Sequence, residues 1–69
     1  MAQVDGVDVK IGDWVGFKSD IEQSGRIVAI KQTYAGVSLV LENTSGFSGG
    51  YIGGSTITTE LARDCWLEG

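Results

Sequence analysis

Residues 12–30, GDWVGFKSDIEQSGRIVAI, decide the fold class of this chain. Their first part alternates the core candidates Val15 and Phe17 with residues of the opposite face, Trp14 among them, which is the period of a half-buried strand. A polar segment over residues 19–24 follows, and a glycine then precedes an apolar run. Because turn chemistry separates two β-rich runs, the stretch predicts a hairpin with a long, exposed and mainly polar tip of about seven residues.

The sequence of the second arm of this hairpin predicts an irregular strand. Ile27 and Ile30 are three positions apart, whereas successive side chains of a regular strand point to opposite faces. Both can face inward only if the strand contains a bulge or a sharp bend, which we expect near Val28 and Ala29. Residues 37–42, VSLVLE, form the clearest strand of the chain, and the short link before them predicts antiparallel pairing with the bent arm.

The two ends of the chain carry weaker signals. Residues 1–8 predict a loosely ordered N-terminus, because their valines are separated by acids and a glycine. Residues 56–59 resume β-character, and residues 60–65 predict one helical turn because Leu61 and Cys65 are four positions apart. Residues 66–68 would then close the chain as a last short strand.

A glycine-rich loop is predicted over residues 43–55, with the sequence GFSGGYIGGS at positions 46–55. Bare backbone N–H groups can cradle a phosphate, but no lysine stands at the spacing of a phosphate-binding loop and no GxGxxG opens a helix. The alternative is structural. Phe47, Tyr51 and Ile52 would pin the loop to the domain while the glycines supply positive φ angles.

The composition limits the chemistry that the chain can support. Its 69 residues predict a single domain over residues 1–69, with Cys65 as the one cysteine and no histidine, so neither a disulfide within the chain nor a zinc site is expected. The formal net charge of −4 argues against general nucleic-acid affinity and suits a cationic or neutral partner. No basic and apolar leader or membrane-length apolar run occurs, so we expect a cytoplasmic protein. We expect no cofactor.

Three stretches resemble SH3-like barrels of the KOW and Tudor type. IGDWV at residues 11–15 resembles their entry strand, GRIVAI at residues 25–30 their second strand, and the helical turn before the last strand is similar to theirs. Residues 9–68 as a whole look like the short SH3-like accessory proteins of tailed bacteriophages. The resemblance implies an all-β fold, a single small barrel of about five antiparallel strands with a one-turn helix before the last. It implies no particular activity.

Catalysis is not expected. Asp20 and Glu22 lie two positions apart at the predicted hairpin tip, with Asp13 before the first strand, but a hydrolase needs acids in a concave, partly desolvated site. A nucleophilic role for Cys65 would need a base, and we interpret it as a buried small residue.

Aromatic side chains carry the functional hypothesis. Trp14 is predicted on the outside of the sheet, where the glycine-rich loop, the N-terminal segment or another chain would cover it. We expect a non-catalytic binding or assembly module that contacts a protein partner or a second copy of itself. The predicted partner-binding residues are Trp14, Asp20, Glu22, Tyr34, Phe47 and Tyr51, in which a loop rim of tyrosines and acids could hold a cationic side chain. The alternative is a weak KOW-type nucleic-acid binder that uses Lys18, Arg26 and Lys31.

Overall fold

The computed structural model describes residues 2–19, 21–48 and 53–68. In this part of the chain the fold is all-β. The strands are β1 (Ala2–Val4), β2 (Val7–Val9), β3 (Trp14–Ser19), β4 (Ile21–Thr33), β5 (Gly36–Glu42), β6 (Ile57–Leu61) and β7 (Trp66–Leu67). A 3₁₀ helix, Ala62–Asp64, lies between β6 and β7, which confirms the helical turn predicted before the last strand.

The strands form two antiparallel sheets. The larger sheet has five strands in the order β6-β5-β4-β3-β7, and the smaller one is the β1-β2 hairpin. The structure thus differs from the loosely ordered N-terminus that we expected, because both Ala2 and Val4 are only 1% exposed and belong to the core. The turn of this hairpin also contacts the larger sheet, where the Leu67 amide donates to Asp5 Oδ2 over 3.3 Å.

The β3–β4 hairpin keeps the predicted pairing but not the predicted tip. Pairing continues to its end, where Ser19 and Ile21 are register partners, so the long polar turn is wrong. The described polar residues of this segment, at positions 19 and 22–24, are strand residues, because each one has a register partner on the other strand that local composition does not reveal. The predicted bulge is confirmed, since the β4–β5 register shifts between Ile27 and Ala29.

The β4–β5 connection is confirmed as a tight antiparallel hairpin. Thr33 and Gly36 are register partners, so Tyr34 and Ala35 form the turn. Gly36 has φ +121, a conformation that side-chain-bearing residues rarely adopt. The Thr33 hydroxyl donates to the Gly36 carbonyl oxygen over 2.7 Å and reinforces the turn.

The inner face of the larger sheet is closed by Phe47 from the glycine-rich loop. Its ring lies edge-on to that of Phe17, with centroids 5.4 Å apart and an interplanar angle of 75°. Gly25 leaves the space for it, because a Cβ there would lie 3.3 Å from Phe47 Cζ and 3.0 Å from Leu41 Cβ. The predicted pinning of the loop by Phe47 is therefore confirmed, whereas Tyr51 and Ile52 lie outside the described residues.

Trp66 covers the opposite face of β3. Gly16 and Trp66 are register partners, and a Cβ built on Gly16 would overlap the indole of Trp66. Gly16 alternates with the buried Val15 and Phe17, so the indole lies on the outer face of the sheet. The absence of a side chain at Gly16 is what allows β7 to add to the sheet with its tryptophan in place.

Substitution of Gly16 by Ala should therefore destabilise the fold by displacing Trp66. We expect a loss of about 1–3 kcal/mol in the free energy of unfolding, the usual cost of inserting volume into a packed site. Urea titration followed by circular dichroism measures it. In a Trp66→Ala background the same substitution should cost clearly less, and an equal cost in both backgrounds would contradict the contact.

Candidate protein-binding face

Four residues form one row across the larger sheet on its outer face. Trp14 is the register partner of Arg26, Arg26 of Glu42, and Glu42 of Ile57. Directly opposed residues of antiparallel strands point to the same face, and Trp14 stands opposite to the inward Val15. The row therefore crosses β3, β4, β5 and β6 in the order apolar, positive, negative, apolar.

The ends of this row are exposed and its centre is an ion pair. Trp14 is 47% exposed and Ile57 48% exposed. Between them Arg26 Nη2 and Glu42 Oε1 are 3.1 Å apart, with their side chains 44% and 31% exposed. Half of a large indole in contact with water is unusual for a side chain that has an apolar core beside it. Its position agrees with the sequence prediction that Trp14 lies outside the sheet.

Neighbouring rows extend the apolar part of this outer face. Ala29 and Val40 are partners in the row on the far side of the bulge, and both are half-buried. On the other side Trp66 lies over Gly16, two positions along β3 from Trp14. The two tryptophans are thus diagonal neighbours on one face. We call the surface formed by Trp14, Arg26, Ala29, Val40, Glu42, Ile57 and Trp66 the outer face.

Two opposite-sign charge pairs lie on and beside this face. Lys18 stands directly opposite Glu22 across β3 and β4, as Arg26 stands opposite Glu42. Formal charges at these four positions therefore cancel, and the net charge of −4 arises elsewhere. A locally neutral face with apolar ends is suited to contact with another protein surface.

The predicted site residues do not all come together. Tyr34 is fully exposed, with a relative accessibility of 112%, at the end of β4 opposite to Glu22. The structure therefore does not bring these two to one rim. Asp20 and Tyr51 lie outside the described residues. Phe47 was expected to contact a partner from the surface, and this is wrong, because it is 4% exposed and packs in the core.

Of the seven residues of the outer face, sequence reasoning named as site residues only Trp14 and, for the nucleic-acid alternative, Arg26; the most informative of those it missed are Ile57 and Trp66. Ile57 belongs to a short edge strand whose alternation is too brief to assign its faces, and Trp66 was interpreted only as part of the last strand. The signal that identifies both is the register, which pairs Ile57 with Glu42 and Trp66 with Gly16. No local pattern contains it.

Of the acids considered for catalysis, Asp13 is bonded within a turn and Glu22 is exposed to solvent. Asp13 accepts from the Lys10 amide at 3.0 Å and from Lys10 Nζ at 3.2 Å. The backbone hydrogen bond, then the lysine, hold the pKa of Asp13 below its ordinary value. Glu22 is exposed at the start of β4. Asp13 thus stabilises a turn, and nothing around Glu22 in the described residues forms the desolvated site that a general acid requires.

A surface cleft of about 330 Å³ lies at the other end of the β4–β5 hairpin, between β1 and the 3₁₀ helix. Its described lining is Gln3, Ala35, Gly36, Val37, Leu61, Ala62 and Arg63. Arg63 Nη1 donates to the Ala35 carbonyl oxygen over 3.2 Å and ties the helix to the hairpin turn. This lining contains no carboxylate and no nucleophilic side chain.

Neither a metal centre nor a membrane-spanning helix is found in the ranges 2–19, 21–48 and 53–68. No group of three or more His, Cys, Asp or Glu side chains there is placed to hold a metal ion. Likewise, no helix among these residues is long and apolar enough to cross a bilayer.

Cys65 is buried, as the sequence predicted, with its thiol directed to a backbone carbonyl. Its Sγ lies 3.4 Å from the Leu61 carbonyl oxygen. Burial, with smaller contributions from the nearby Glu60 and Asp64, raises the pKa of Cys65 to about 12. The thiol is consequently protonated near neutral pH, and a thiol in that state is a poor nucleophile.

Comparison with protein-family models, curated proteins and solved structures finds no match to this chain. The assignment of a role to the outer face therefore depends on its geometry and chemistry.

Truncation of Phe47 and of Trp14 should have different effects on the free energy of unfolding, because one is a core residue and the other lies on the surface. Phe47→Ala removes a buried ring beside Phe17, and we expect it to cost about 3–5 kcal/mol in the free energy of unfolding. Trp14→Ala should cost clearly less, because half of its surface is already in water. Urea titration of both variants measures the difference, and equal costs would contradict the two assignments.

Alkylation of Cys65 should report unfolding. At pH 8 a thiol with a pKa near 12 has roughly a thousandth of the thiolate of an unfolded cysteine with a pKa near 9, so iodoacetamide should label the native chain about 10³-fold more slowly. Because the folded pKa is the raised one, the contribution to stability is complete below pH 9 and is lost as pH rises from about 9 to about 12. Rapid labelling of the native chain at pH 8 would contradict the burial.

Proposed function

We propose that this chain is a non-catalytic binding or assembly module that contacts a protein through its outer face. The observation that carries the proposal is the half-exposed Trp14, which lies in a locally neutral row with an exposed Ile57 at its other end. Tryptophan is the residue type most enriched where interfaces concentrate their binding energy, and charged pairs at such sites give orientation more than affinity.

The five-stranded sheet, its bulged second long strand and the 3₁₀ helix before the last strand support a finer assignment of the fold as an SH3-like barrel of the KOW and Tudor type. The sequence resemblance of residues 9–68 alone supports the further proposal of an origin among the small accessory proteins of tailed bacteriophages. Such a protein would act in the cytoplasm of the bacterial host.

Nucleic-acid binding through Lys18, Arg26 and Lys31 is the weaker proposal. Two of these bases stand opposite an acid, Lys18 opposite Glu22 and Arg26 in an ion pair with Glu42. Phosphate affinity comes mainly from bases that replace counterions, and an acid beside a base opposes it. Titration with single- and double-stranded oligonucleotides at low salt tests this alternative, which requires binding that weakens as salt is added.

Trp14→Ser is the test of the proposed function. The variant should remain folded and lose contact with its protein partner, measured both as self-association by light scattering and as capture of proteins from a bacterial host lysate. Tyr34→Ser is the matched control, because it removes an aromatic ring that is even more exposed than Trp14 and lies beyond the far end of β4, away from the outer face. If Trp14→Ser matches the natural chain in both measurements, the assignment of the outer face fails.

A further inference from the structure

We propose that the occupant of the outer face is the same face of a second copy of this chain, related by a two-fold axis that runs along the strands between Arg26 and Glu42. The inference rests on the proposed function and names its partner. It starts from the order of the row, in which Trp14, Arg26, Glu42 and Ile57 follow one another from β3 to β6.

This order is complementary to itself when it is reversed. Two sheets that pack face to face can be related by a two-fold axis along the strands or by one along the row. The axis along the strands reverses the row, so Arg26 faces the partner's Glu42 and Glu42 faces the partner's Arg26. The axis along the row places each side chain over its own copy, with Arg26 against the partner's Arg26. Charge complementarity selects the first arrangement.

The apolar residues agree with the same axis. Reversal places Trp14 over the partner's Ile57 and Ile57 over the partner's Trp14, which covers both half-exposed side chains. In the next row Ala29 and Val40 are register partners on the two sides of the axis. Reversal therefore places Ala29 over the partner's Val40 and Val40 over the partner's Ala29. The row spans three strand spacings, about 14 Å between its outer Cα atoms, so both ends can be covered by one contact.

The central ion pair remains able to bond across the interface. Arg26 and Glu42 side chains are 44% and 31% exposed while they contact each other over 3.1 Å. A guanidinium has five N–H donors and a carboxylate can accept several hydrogen bonds, so each group can join its intramolecular partner and the partner's opposite charge. The result is a four-charge network at the centre of the dimer.

Charge reversal at the two central positions gives a decisive experiment. Arg26→Glu places two acids in the row and Glu42→Arg places two bases there, so each variant alone should dimerise at least about tenfold more weakly than the natural chain. An equimolar mixture of the two variants should dimerise again, because acids then face bases. Sedimentation equilibrium measures the association constant, against a chain mass of 7.3 kDa.

Arg63→Glu and Asp64→Arg are the controls for net charge. They change the net charge by the same amounts, from −4 to −6 and from −4 to −2, at exposed positions on the 3₁₀ helix. They should dimerise as the natural chain does. Circular dichroism confirms that every variant is folded.

If a single charge-reversal variant does not fold, the double variant Arg26→Glu with Glu42→Arg provides the test. Its row again alternates in sign, so it should dimerise with itself and form no mixed dimer with the natural chain, where like charges would face each other. A natural chain that stays monomeric, a single variant that dimerises normally, a mixture that does not, or free mixing of the double variant with the natural chain overturns the inference. Loss of lysate capture in Trp14→Ser would in that case still support the proposed function with a different partner.

Discussion

The packing of Phe47 against Phe17 over Gly25 is the contact on which the rest of the structure depends. A chain of 69 residues has few large apolar side chains, and two phenylalanines supply much of its core volume. The glycine favours this contact, because a Cβ there would lie only 3.3 Å from Phe47 Cζ and 3.0 Å from Leu41 Cβ. From its position between β5 and β6, Phe47 covers this part of the inner face of the sheet.

Burial of the inner face determines which side chains lie on the outer face. Strand register is tied to side-chain direction, so a shift of one residue would expose Val15 and Phe17 in order to bury Trp14. The exposure of Trp14 is therefore a consequence of burying Val15 and Phe17 in the core. Gly16 has a similar role on the outer face, since the absence of its Cβ leaves space for the Trp66 indole, which adds apolar area there.

Features that depend on local alternation could be predicted from the sequence. The faces of β3, the bulge after Ile27 and the tight turn at Thr33–Gly36 all follow from spacing and turn chemistry within a few residues. The features that could not be predicted depend on partners far along the chain. Residues 22–24 are polar and become strand by pairing with β3, and Phe47 becomes a core residue at a site where Gly25 places no side chain. Likewise, Arg26 and Glu42 are 16 positions apart, so their pairing is visible only in the register.

The distribution of charge supports the proposal that contact between copies uses the outer face. A net charge of −4 repels a second copy, and at physiological salt that repulsion is screened beyond about 8 Å. Close approach is therefore favourable only where a surface is locally neutral and apolar. The N-terminal hairpin turn with Asp5 and Asp8 does not meet that condition. The outer face does, because Arg26 stands opposite Glu42. The same pairing that makes it neutral would also set the orientation of the two copies in the proposed dimer.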